Sequence, residues 1–287
     1  IYLNSLFSVF YTLQPLLIRK RLLPNRKLVL APRGMLGKGA LQIKPLKKKL
    51  FLNFAKILGL YKGITWHASS EAEAEEIKLM FGKDCKIHVA IDLVESRTLT
   101  KIDRVKNTGK LKAVFLSRIS VKKNLEGTLK LLAQLPSNCE IEFDIYGPIE
   151  DPEYWKKCEE AIAKLPPNIK ATYKGVIENS KVIDVLSSYH LSILLTFNEN
   201  YGHSIVESMA AGCPVLLSDQ TIWKQLEQKN AGWDIPLASE TEIMNALQDA
   251  CSWDQATFEK HSDGALQFAN SIFNDEKGIE QNRLLFA

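Results

Sequence analysis

The chain has 287 residues, of which 46% are hydrophobic and 24% are charged, and its formal net charge is +4. This composition excludes a disordered chain, and the length predicts two domains, because one domain usually takes about 100–200 residues. No nucleic-acid-binding motif accompanies the basic residues, so we do not expect nucleic acid as a partner.

The charge is distributed unevenly along the chain. Residues 1–104 contain 19 Lys and Arg against 8 Asp and Glu, whereas the remainder contains 18 against 25. The first acidic residue is Glu71, and thirteen basic residues lie between Arg19 and Lys62. Such a stretch indicates either a solvated basic surface or an anionic partner. Among partners, an anionic lipid surface or a phosphate-bearing acceptor fits best.

The first 18 residues carry no charge, but they do not read as a membrane span. Polar residues and Pro15 interrupt the run, and a spanning helix needs about 20 mostly apolar residues. The run also lacks the basic start and the cleavage site of a signal peptide. We expect a buried strand followed by a helix. Since the chain does not begin with Met, we also expect it to start inside a longer protein.

Short apolar runs alternate with helical patterns along most of the chain. The predicted strands are residues 27–31, 64–67, 86–90, 112–116, 140–146, 170–174, 191–195 and 214–217. The predicted helices are residues 45–58, 71–81, 125–135, 152–164, 182–188, 204–211, 223–228, 258–269 and 277–286. This alternation predicts an α/β fold with parallel sheets that are covered on both faces.

A domain boundary is predicted in the polar segment 93–110, because a new series of βαβ units begins after it. Residues 1–104 then form an N-terminal Rossmann-like domain with few strands, and residues 105–270 form a second Rossmann-like domain. Residues 271–287 form a C-terminal helix that we expect to pack back toward the first domain.

The five cysteines do not indicate a metal site, because none of them are paired at metal-ligand spacing. They are Cys85, Cys139, Cys158, Cys213 and Cys251. Their odd number and wide scatter predict buried free thiols in a reducing compartment. We therefore expect a cytoplasmic protein.

Two cations follow the predicted strand that ends at Leu116, namely Arg118 and Lys123. In a doubly wound sheet, ligands bind beyond the carboxyl ends of the strands. Arg presents a fork of donors and Lys presents a point charge, and together they suit a diphosphate. The alternative is a pair of ordinary surface cations.

Two carboxylates follow the predicted strand at residues 191–195. Glu199 lies in a loop, and Glu207 lies on a helix that begins near Gly202. Free backbone N–H groups at a helix start attract phosphate oxygens, and glycine lets a ligand approach closely. Carboxylates accept hydrogen bonds from the hydroxyl groups of sugars.

Taken in order, these motifs resemble glycosyltransferase family 4, whose members are retaining enzymes with the two-domain GT-B architecture. The resemblance covers roughly residues 27–270 and rests on Arg118 and Lys123, Tyr146-Gly147-Pro148, Lys174-Gly175-Val176, and Glu199 followed at the eighth position by Glu207. The family's opening strands and Gly-rich loop have no counterpart here, so the N-terminal Rossmann-like domain is expected to be incomplete.

The resemblance implies a hexosyltransferase that uses a UDP-sugar or GDP-sugar without a cofactor. Arg118 and Lys123 would bind and stabilise the leaving diphosphate, and Glu199 would contact the transferred sugar. The donor-binding residues would be Gly147, Val176, Ile177, Tyr201, Gly202, His203, Ser204 and Glu207. The sequence contains no Asp-x-Asp pair, and we expect no metal.

The first domain departs from the family where relatives carry a histidine after a strand. Arg33 stands there, and it is expected either to contact an acceptor or phosphate or to be a structural loop residue. A predicted amphipathic helix carries the basic residues Lys44, Lys47, Lys48 and Lys49. These lysines indicate either a solvated face or contact with an anionic membrane.

The function implied by the resemblance is sugar transfer to a sugar or lipid-linked acceptor, in surface polysaccharide or glycolipid assembly at the inner face of the membrane. A non-catalytic nucleotide-sugar-binding or membrane-docking subunit remains an alternative, as does a sugar-nucleotide epimerase of the same fold. A serine-hydrolase elbow is disfavoured, because Val206 occupies the position of its second glycine. A glycosidase carboxylate pair is disfavoured by the adjacent phosphate-binding features.

Overall fold

The computed structural model describes residues 1–37, 40–41, 45–92 and 104–286. The chain divides into two compact units, of which unit 1 is Ile1–Leu93 with Asp275–Ala287 and unit 2 is Val94–Asn274. The predicted boundary segment, residues 93–110, falls mostly outside the described residues. Each unit contains one parallel sheet, so the α/β fold class is confirmed.

The elements alternate between strand and helix, as the sequence predicts. The strands are β1 (Tyr2–Leu3), β2 (Val29–Leu30), β3 (Thr65–Ala68), β4 (Ile87–Val89), β5 (Lys110–Leu116), β6 (Glu140–Tyr146), β7 (Ile169–Gly175), β8 (Leu191–Leu194), β9 (Val215–Ser218) and β10 (Gly232–Ile235). The helices are α1 (Gln14–Leu22), α2 (Pro45–Ile57), α3 (Glu71–Phe81), α4 (Leu125–Leu132), α5 (Pro152–Ile162), α6 (Val182–Leu186), α7 (His203–Ala210), α8 (Glu240–Ser252), α9 (Gln255–Phe273) and α10 (Glu276–Phe286).

Unit 1 is built on a sheet with the strand order β1-β2-β3-β4. Its core includes Trp66, which is 1% exposed and stacks on Phe81 with ring centroids 4.2 Å apart. The buried guanidinium of Arg19 donates to three backbone carbonyls, those of Arg26, Lys62 and Gly63, at 2.8–3.1 Å. Because these carbonyls precede β2 and β3, Arg19 holds the loops that lead into both strands.

The C-terminal helix α10 belongs to unit 1. The backbone carbonyl of Gln281 lies 2.7 Å from Nε2 of His88, and the amide of Asn282 donates to the carbonyl of Ile91 at 2.9 Å. The Phe286 ring lies 5.5 Å from the Tyr2 ring. The last helix therefore packs against residues of β1 and β4 and of the segment that follows β4.

Unit 2 is built on a six-stranded sheet with the order β10-β9-β8-β5-β6-β7. From β5 the chain first runs outward through β6 and β7, and it then returns to the other side of β5 with β8. The strand order therefore reverses between β5 and β8. At such a reversal the flanking loops diverge and leave a crevice outside the carboxyl ends of the strands, which is where α/β sheets bind ligands.

Several predictions of secondary structure are wrong or were not made. Residues 223–228 form no helix, because Gln225 adopts a left-handed backbone (φ 59°) and only Glu227–Lys229 make a 3-10 turn. Strand β10 and helix α8 were not predicted, and β1 was expected only as a strand without bounds in the opening run. Both strands are short, and they are defined by their pairing with β2 and β9 rather than by any pattern of their own.

The opening residues confirm the expected strand and helix, since β1 is followed by a π-helical turn over Val9–Leu13 that leads into α1. Within the described part of the chain, no helix combines the length and the apolar character needed to cross a membrane. All five cysteines lie in described residues and are free thiols. Cys85 is only partly buried, so the prediction of a buried thiol is wrong at that position.

A second buried arginine, Arg104, holds unit 2 together. It is 8% exposed, and it donates to the carbonyls of Tyr189 (2.6 Å), Ala211 (3.0 Å) and Gly212 (2.7 Å). A further nitrogen–oxygen distance of 3.2 Å joins it to the hydroxyl of Ser262 on α9. One side chain thus satisfies carbonyls of two loops that are far apart in sequence.

We expect the substitution Arg104→Met to lower the free energy of unfolding by about 2–4 kcal/mol, because it leaves buried carbonyls without donors. Urea unfolding followed by tryptophan fluorescence measures the loss. The control is Lys110→Met, which removes an exposed lysine whose ion pair with Glu140 (3.0 Å) is worth about 0–1 kcal/mol. Equal losses of stability in the two variants would contradict the structural role of Arg104.

Candidate functional site

Four loops meet at the carboxyl edge of the unit 2 sheet, and backbone hydrogen bonds join them. The Ile119 N–H donates to the Pro148 carbonyl at 2.9 Å and joins the loops after β5 and β6. The Phe197 N–H donates to the Lys122 carbonyl at 2.9 Å and joins the loops after β8 and β5. The Glu199 N–H donates to the carbonyl of Gln220, after β9, at 2.8 Å. The residues between the strands therefore form one connected platform.

Lys123 and Glu199 form an ion pair across the point where the strand order reverses. Nζ of Lys123 donates to Oε2 of Glu199, and the two side chains are only 6% and 16% exposed. The other carboxylate oxygen of Glu199 accepts from the N–H of Asn200 at 3.1 Å. A buried charge needs a charged or hydrogen-bonding partner to avoid a large desolvation cost. The pair therefore fixes the direction of both side chains.

Two hydroxyl groups that the sequence did not single out brace the Glu199 loop. Thr196 donates to the Lys122 carbonyl at 2.9 Å and accepts from the N–H of Asn198 at 3.3 Å. Ser218 at the end of β9 donates to the Thr196 carbonyl at 2.5 Å. Their positions at strand ends are their only sequence signal, since both contacts depend on loops that are distant in sequence.

The other predicted cation, Arg118, lies on the same platform and pairs with a different carboxylate. Its guanidinium donates to Glu150 at 2.8 Å, and the side chains are 58% and 48% exposed. Glu150 lies in the loop after β6 and was not predicted as a site residue. An exposed ion pair of this kind is worth only about 0–1 kcal/mol, so an anionic ligand can replace Glu150 at low cost.

The helix α7 begins beside Glu199 at Gly202, which has a left-handed backbone (φ 78°). A Cβ atom at Gly202 would lie 2.6 Å from Cδ1 of Ile205 and 3.0 Å from Cγ of Glu199, so a side chain there would strain the backbone and displace Ile205. Glycine cannot cap the helix as Ser or Asp would. The partial positive charge of the helix N-terminus therefore lies beside the Lys123–Glu199 pair.

The predicted donor residues around this N-terminus differ in exposure. Tyr201 is 3% exposed and packs between His203 and Trp223, whose Nε1 donates to the Tyr201 carbonyl at 2.6 Å. Burial raises the pKa of Tyr201 to about 12. Tyr201 therefore offers a ligand only its backbone, whereas the His203 side chain is exposed and Ser204 and Glu207 are half-buried.

The remaining predicted donor residues lie on the other side of Arg118. Gly147 is in tight contact with the β5 loop, and its N–H donates to the Gly175 carbonyl at 2.8 Å. Val176 is 68% exposed, whereas Ile177 packs partly into the core with Tyr146. Of these two predicted donor-binding residues, only Val176 presents a largely exposed side chain.

Arg33 lies in unit 1 at the carboxyl end of β2, where a polar network holds it. Its guanidinium forms an ion pair with Asp92, donates to Asn4 Oδ1 at 2.6 Å and donates to the Tyr2 hydroxyl at 2.9 Å. Its backbone is left-handed (φ 54°), a conformation that non-glycine residues adopt at a cost. Asp92 balances the charge of Arg33, which weakens its attraction for an anion.

His67 completes this network. The Tyr2 hydroxyl lies 2.7 Å from Nδ1 of His67, and Nε2 of His67 lies 2.8 Å from the Ala90 carbonyl. Burial lowers the pKa of His67, so the ring stays neutral near pH 7, with Nε2–H as the donor to Ala90. This arrangement agrees with a packing role for His67.

Metal-ligating side chains do not cluster at either sheet. Over residues 1–37, 40–41, 45–92 and 104–286, no group of three or more His, Cys, Asp and Glu side chains could hold a metal ion. The absence of a metal requirement in the reaction stays a prediction.

Residues 96–253, more than half of the chain, match the family model described as "Glycosyl transferases group 1". The chain belongs to the glycosyl transferases group 1 family. The matched range contains Arg118, Lys123, Glu199 and the start of α7. No curated protein sequence matches the chain significantly. The narrower assignment to glycosyltransferase family 4 stays a prediction.

Several solved structures share the fold of this group 1 member. Sucrose-phosphate synthase from Thermosynechococcus elongatus aligns with a TM-score of 0.76 at 16% sequence identity, covering 100% of this chain and 72% of that one. HepE from Anabaena, solved with UDP-glucose, aligns with a TM-score of 0.70 at 15% identity, covering 97% and 75%. A variant of TarM from S. aureus, solved with UDP, aligns with a TM-score of 0.67 at 16% identity, covering 91% and 51%.

These neighbours are GT-B glycosyltransferases, so the predicted GT-B architecture is confirmed. The chain spans about half the length of TarM and about three quarters of HepE. At this level of identity the likeness concerns the fold alone.

Two glycines offer a matched test of how tightly the platform is packed. Both have left-handed backbones, but a Cβ at Gly147 would lie 1.9 Å from the Ser117 carbonyl oxygen, whereas a Cβ at Gly175 meets nothing within 4 Å. We expect Gly147→Ala to lower the melting temperature far more than Gly175→Ala, which has only the backbone strain of about 1–2 kcal/mol. Differential scanning calorimetry measures both, and equal shifts would refute the close approach.

Proposed function

We propose that this protein is a retaining glycosyltransferase that moves a sugar from a nucleoside-diphosphate sugar to an acceptor. The observation that carries the proposal is the buried Lys123–Glu199 pair beside the N-terminus of α7, at the reversal of strand order in unit 2. Membership of the group 1 family supports it. TarM was solved with UDP and HepE with UDP-glucose. UDP is therefore the first nucleotide to test.

The reaction breaks the bond between the anomeric carbon and the distal phosphate of the donor. Positive charge develops on the sugar ring, and negative charge develops on the phosphate that leaves. Lys123, Arg118 and the α7 N-terminus supply fixed positive charge for that phosphate, and one such group is worth about 3–4 kcal/mol of barrier. Glu199 faces the transferred sugar, and Glu207 accepts hydrogen bonds from the ribose hydroxyl groups. The acceptor oxygen then bonds to the anomeric carbon on the face that the phosphate leaves, and the acceptor proton passes to an oxygen of the departing diphosphate.

The two ion pairs have different parts in this proposal. The Arg118–Glu150 pair is exposed, so the donor diphosphate takes the place of Glu150 on the guanidinium. The Lys123–Glu199 pair is buried and stays in place, since breaking it would leave two charges without partners. Glu199 thus orients the Lys123 ammonium toward the leaving phosphate while its own second oxygen stays near the sugar.

The acceptor and the pathway form the finer part of the proposal. We propose a sugar or lipid-linked acceptor in surface polysaccharide or glycolipid assembly, and the basic first unit supports an acceptor that carries phosphate. The proposed mechanism needs no metal.

Calorimetric titration of the chain with UDP and with GDP tests the donor site, first without metal and then with Mg²⁺. We expect saturable binding of UDP, and weaker binding by about tenfold in Arg118→Ala, because a charge-assisted hydrogen bond is worth about 1.5 kcal/mol or more. Absence of binding by both nucleotides, or parental binding by Arg118→Ala, would refute the site. A requirement for Mg²⁺ would refute the metal-independent mechanism.

The same titration tests the competition between Glu150 and the donor. In the parent, UDP must displace the Glu150 carboxylate from Arg118. Glu150→Gln removes that negative charge, so we expect UDP to bind several-fold more tightly. The control is Glu153→Gln, which removes an exposed carboxylate that pairs with Lys156 at 2.8 Å on α5. Unchanged affinity in Glu150→Gln would mean that the pair does not oppose the donor.

Turnover distinguishes transfer from binding alone. We expect Lys123→Ala to lower kcat by about 100-fold or more, since it removes a charge that acts on the leaving phosphate, and Glu207→Ala to weaken UDP binding. The release of UDP from UDP-sugars, with and without added acceptors, measures kcat. The control is Lys130→Ala, which changes an exposed residue of α4. Saturable UDP binding without UDP release would favour the non-catalytic subunit.

A further inference from the structure

The helix α2 exposes a row of large apolar side chains to solvent. The row consists of Leu46 (75% exposed), Leu50 (69%), Phe54 (50%) and Ile57 (84%). Their spacing of four, four and three residues places them within an arc of about 80° on one side of the helix. Large apolar side chains that share one exposed face indicate an interaction surface, whereas scattered ones do not.

The fold of unit 1 does not require this row. On the opposite side of α2, Leu52 and Ala55 are 5% and 0% exposed and belong to the core of unit 1. A helix on the surface of a globular unit needs one apolar face, and its other face is normally polar. The helix α2 has two apolar faces, and the outer one stays exposed in the part of the chain that the structure describes.

Lysines border the exposed row on both sides. Lys47 and Lys49 are exposed, and at about 100° per residue they lie at the two edges of the row. Lys48 points to the inner side, where it donates to the Ala40 carbonyl and lies 5.1 Å from the Phe7 ring centroid. Lys48 is half-buried and points away from the row, so the proposed lipid contact uses Lys47 and Lys49. Lys44 lies outside the described residues.

A second exposed apolar group lies on a neighbouring element. Phe10 and Tyr11, in the π-helical turn before α1, are 71% and 76% exposed. The segment that carries them packs beside α2, because the Phe7 ring lies 5.7 Å from the Phe51 ring. Unit 1 thus exposes large apolar side chains on a second element as well as on α2.

We infer that the outer face of α2 docks on the surface of an anionic phospholipid bilayer. The row enters the boundary between headgroups and acyl chains, and Lys47 and Lys49 extend to the lipid phosphates. The charge of the chain favours this partner over a protein, because the exposed Lys47 and Lys49 border the row and no acidic residue precedes Glu71. The helix is about 20 Å long and lies in the plane of the surface. This inference does not depend on the donor site.

Vesicle co-sedimentation of the full chain tests the inference. We expect strong binding to vesicles of phosphatidylcholine mixed with phosphatidylglycerol and weak binding to phosphatidylcholine alone. The double variant Leu50→Ser, Phe54→Ser should lose at least tenfold in affinity, and the double variant Lys47→Gln, Lys49→Gln should lose several-fold together with most of the salt dependence. Absence of binding to the mixed vesicles overturns the inference.

Matched controls separate the row from general surface properties. Leu79→Ser removes an 87% exposed leucine on α3, and Lys78→Gln removes an exposed α3 lysine that pairs with Glu75. Neither should change vesicle binding, and no variant should change UDP binding or the melting temperature. Parental vesicle binding by the Leu50, Phe54 double variant overturns the inference. A second result also overturns the inference. If the parent does not bind vesicles but forms a dimer in analytical ultracentrifugation, and this variant abolishes the dimer, the face binds a second copy of the chain.

Discussion

The ion pair between Lys123 and Glu199 is the interaction on which the candidate site depends. It joins the loop after β5 to the loop after β8, the two strands between which the order of the sheet reverses. Without it, either loop would carry a buried charge without a partner, and the gap that the reversal creates would have no fixed shape. Thr196 and Ser218 then set the backbone of the Glu199 loop, and Gly202 lets α7 begin at the same place.

Buried cations that donate to backbone carbonyls recur through both units. Arg19 serves the loops of unit 1, and Arg104 serves those of unit 2. Lys106 donates to three more carbonyls at 2.9–3.0 Å, those of Asn107, Cys251 and Trp253. Carbonyls at loop ends lack partners in a sheet or helix, and one cation can satisfy several of them. Part of the basic content of the chain is therefore structural and is not available for anionic partners.

Neighbouring lysines illustrate that division. Lys47 and Lys49 are exposed beside an apolar row, whereas Lys48 between them turns inward to a carbonyl and an aromatic ring. Similarly, Arg33 is balanced by Asp92 in unit 1, while Arg118 keeps an exposed pair with Glu150 that a ligand can exchange. The proposed donor chemistry and the proposed lipid docking therefore rest on separate sets of cations, which different variants can test independently.

Local sequence determined the elements whose patterns are complete in themselves. The strand β6 and the helix α3 have their predicted bounds, since β6 alternates buried and more exposed side chains over seven residues and Ser70 caps α3. The ordered motifs from Arg118 to Glu207 also predicted a GT-B glycosyltransferase, which the match to the group 1 family and the solved neighbours confirms. Only the tertiary structure decided that β10 exists, that residues 223–228 are not helical, and that Glu150 and Thr196 belong to the site. Each of these depends on contacts between loops or strands that are distant in sequence, and no local pattern encodes which loop a side chain will meet.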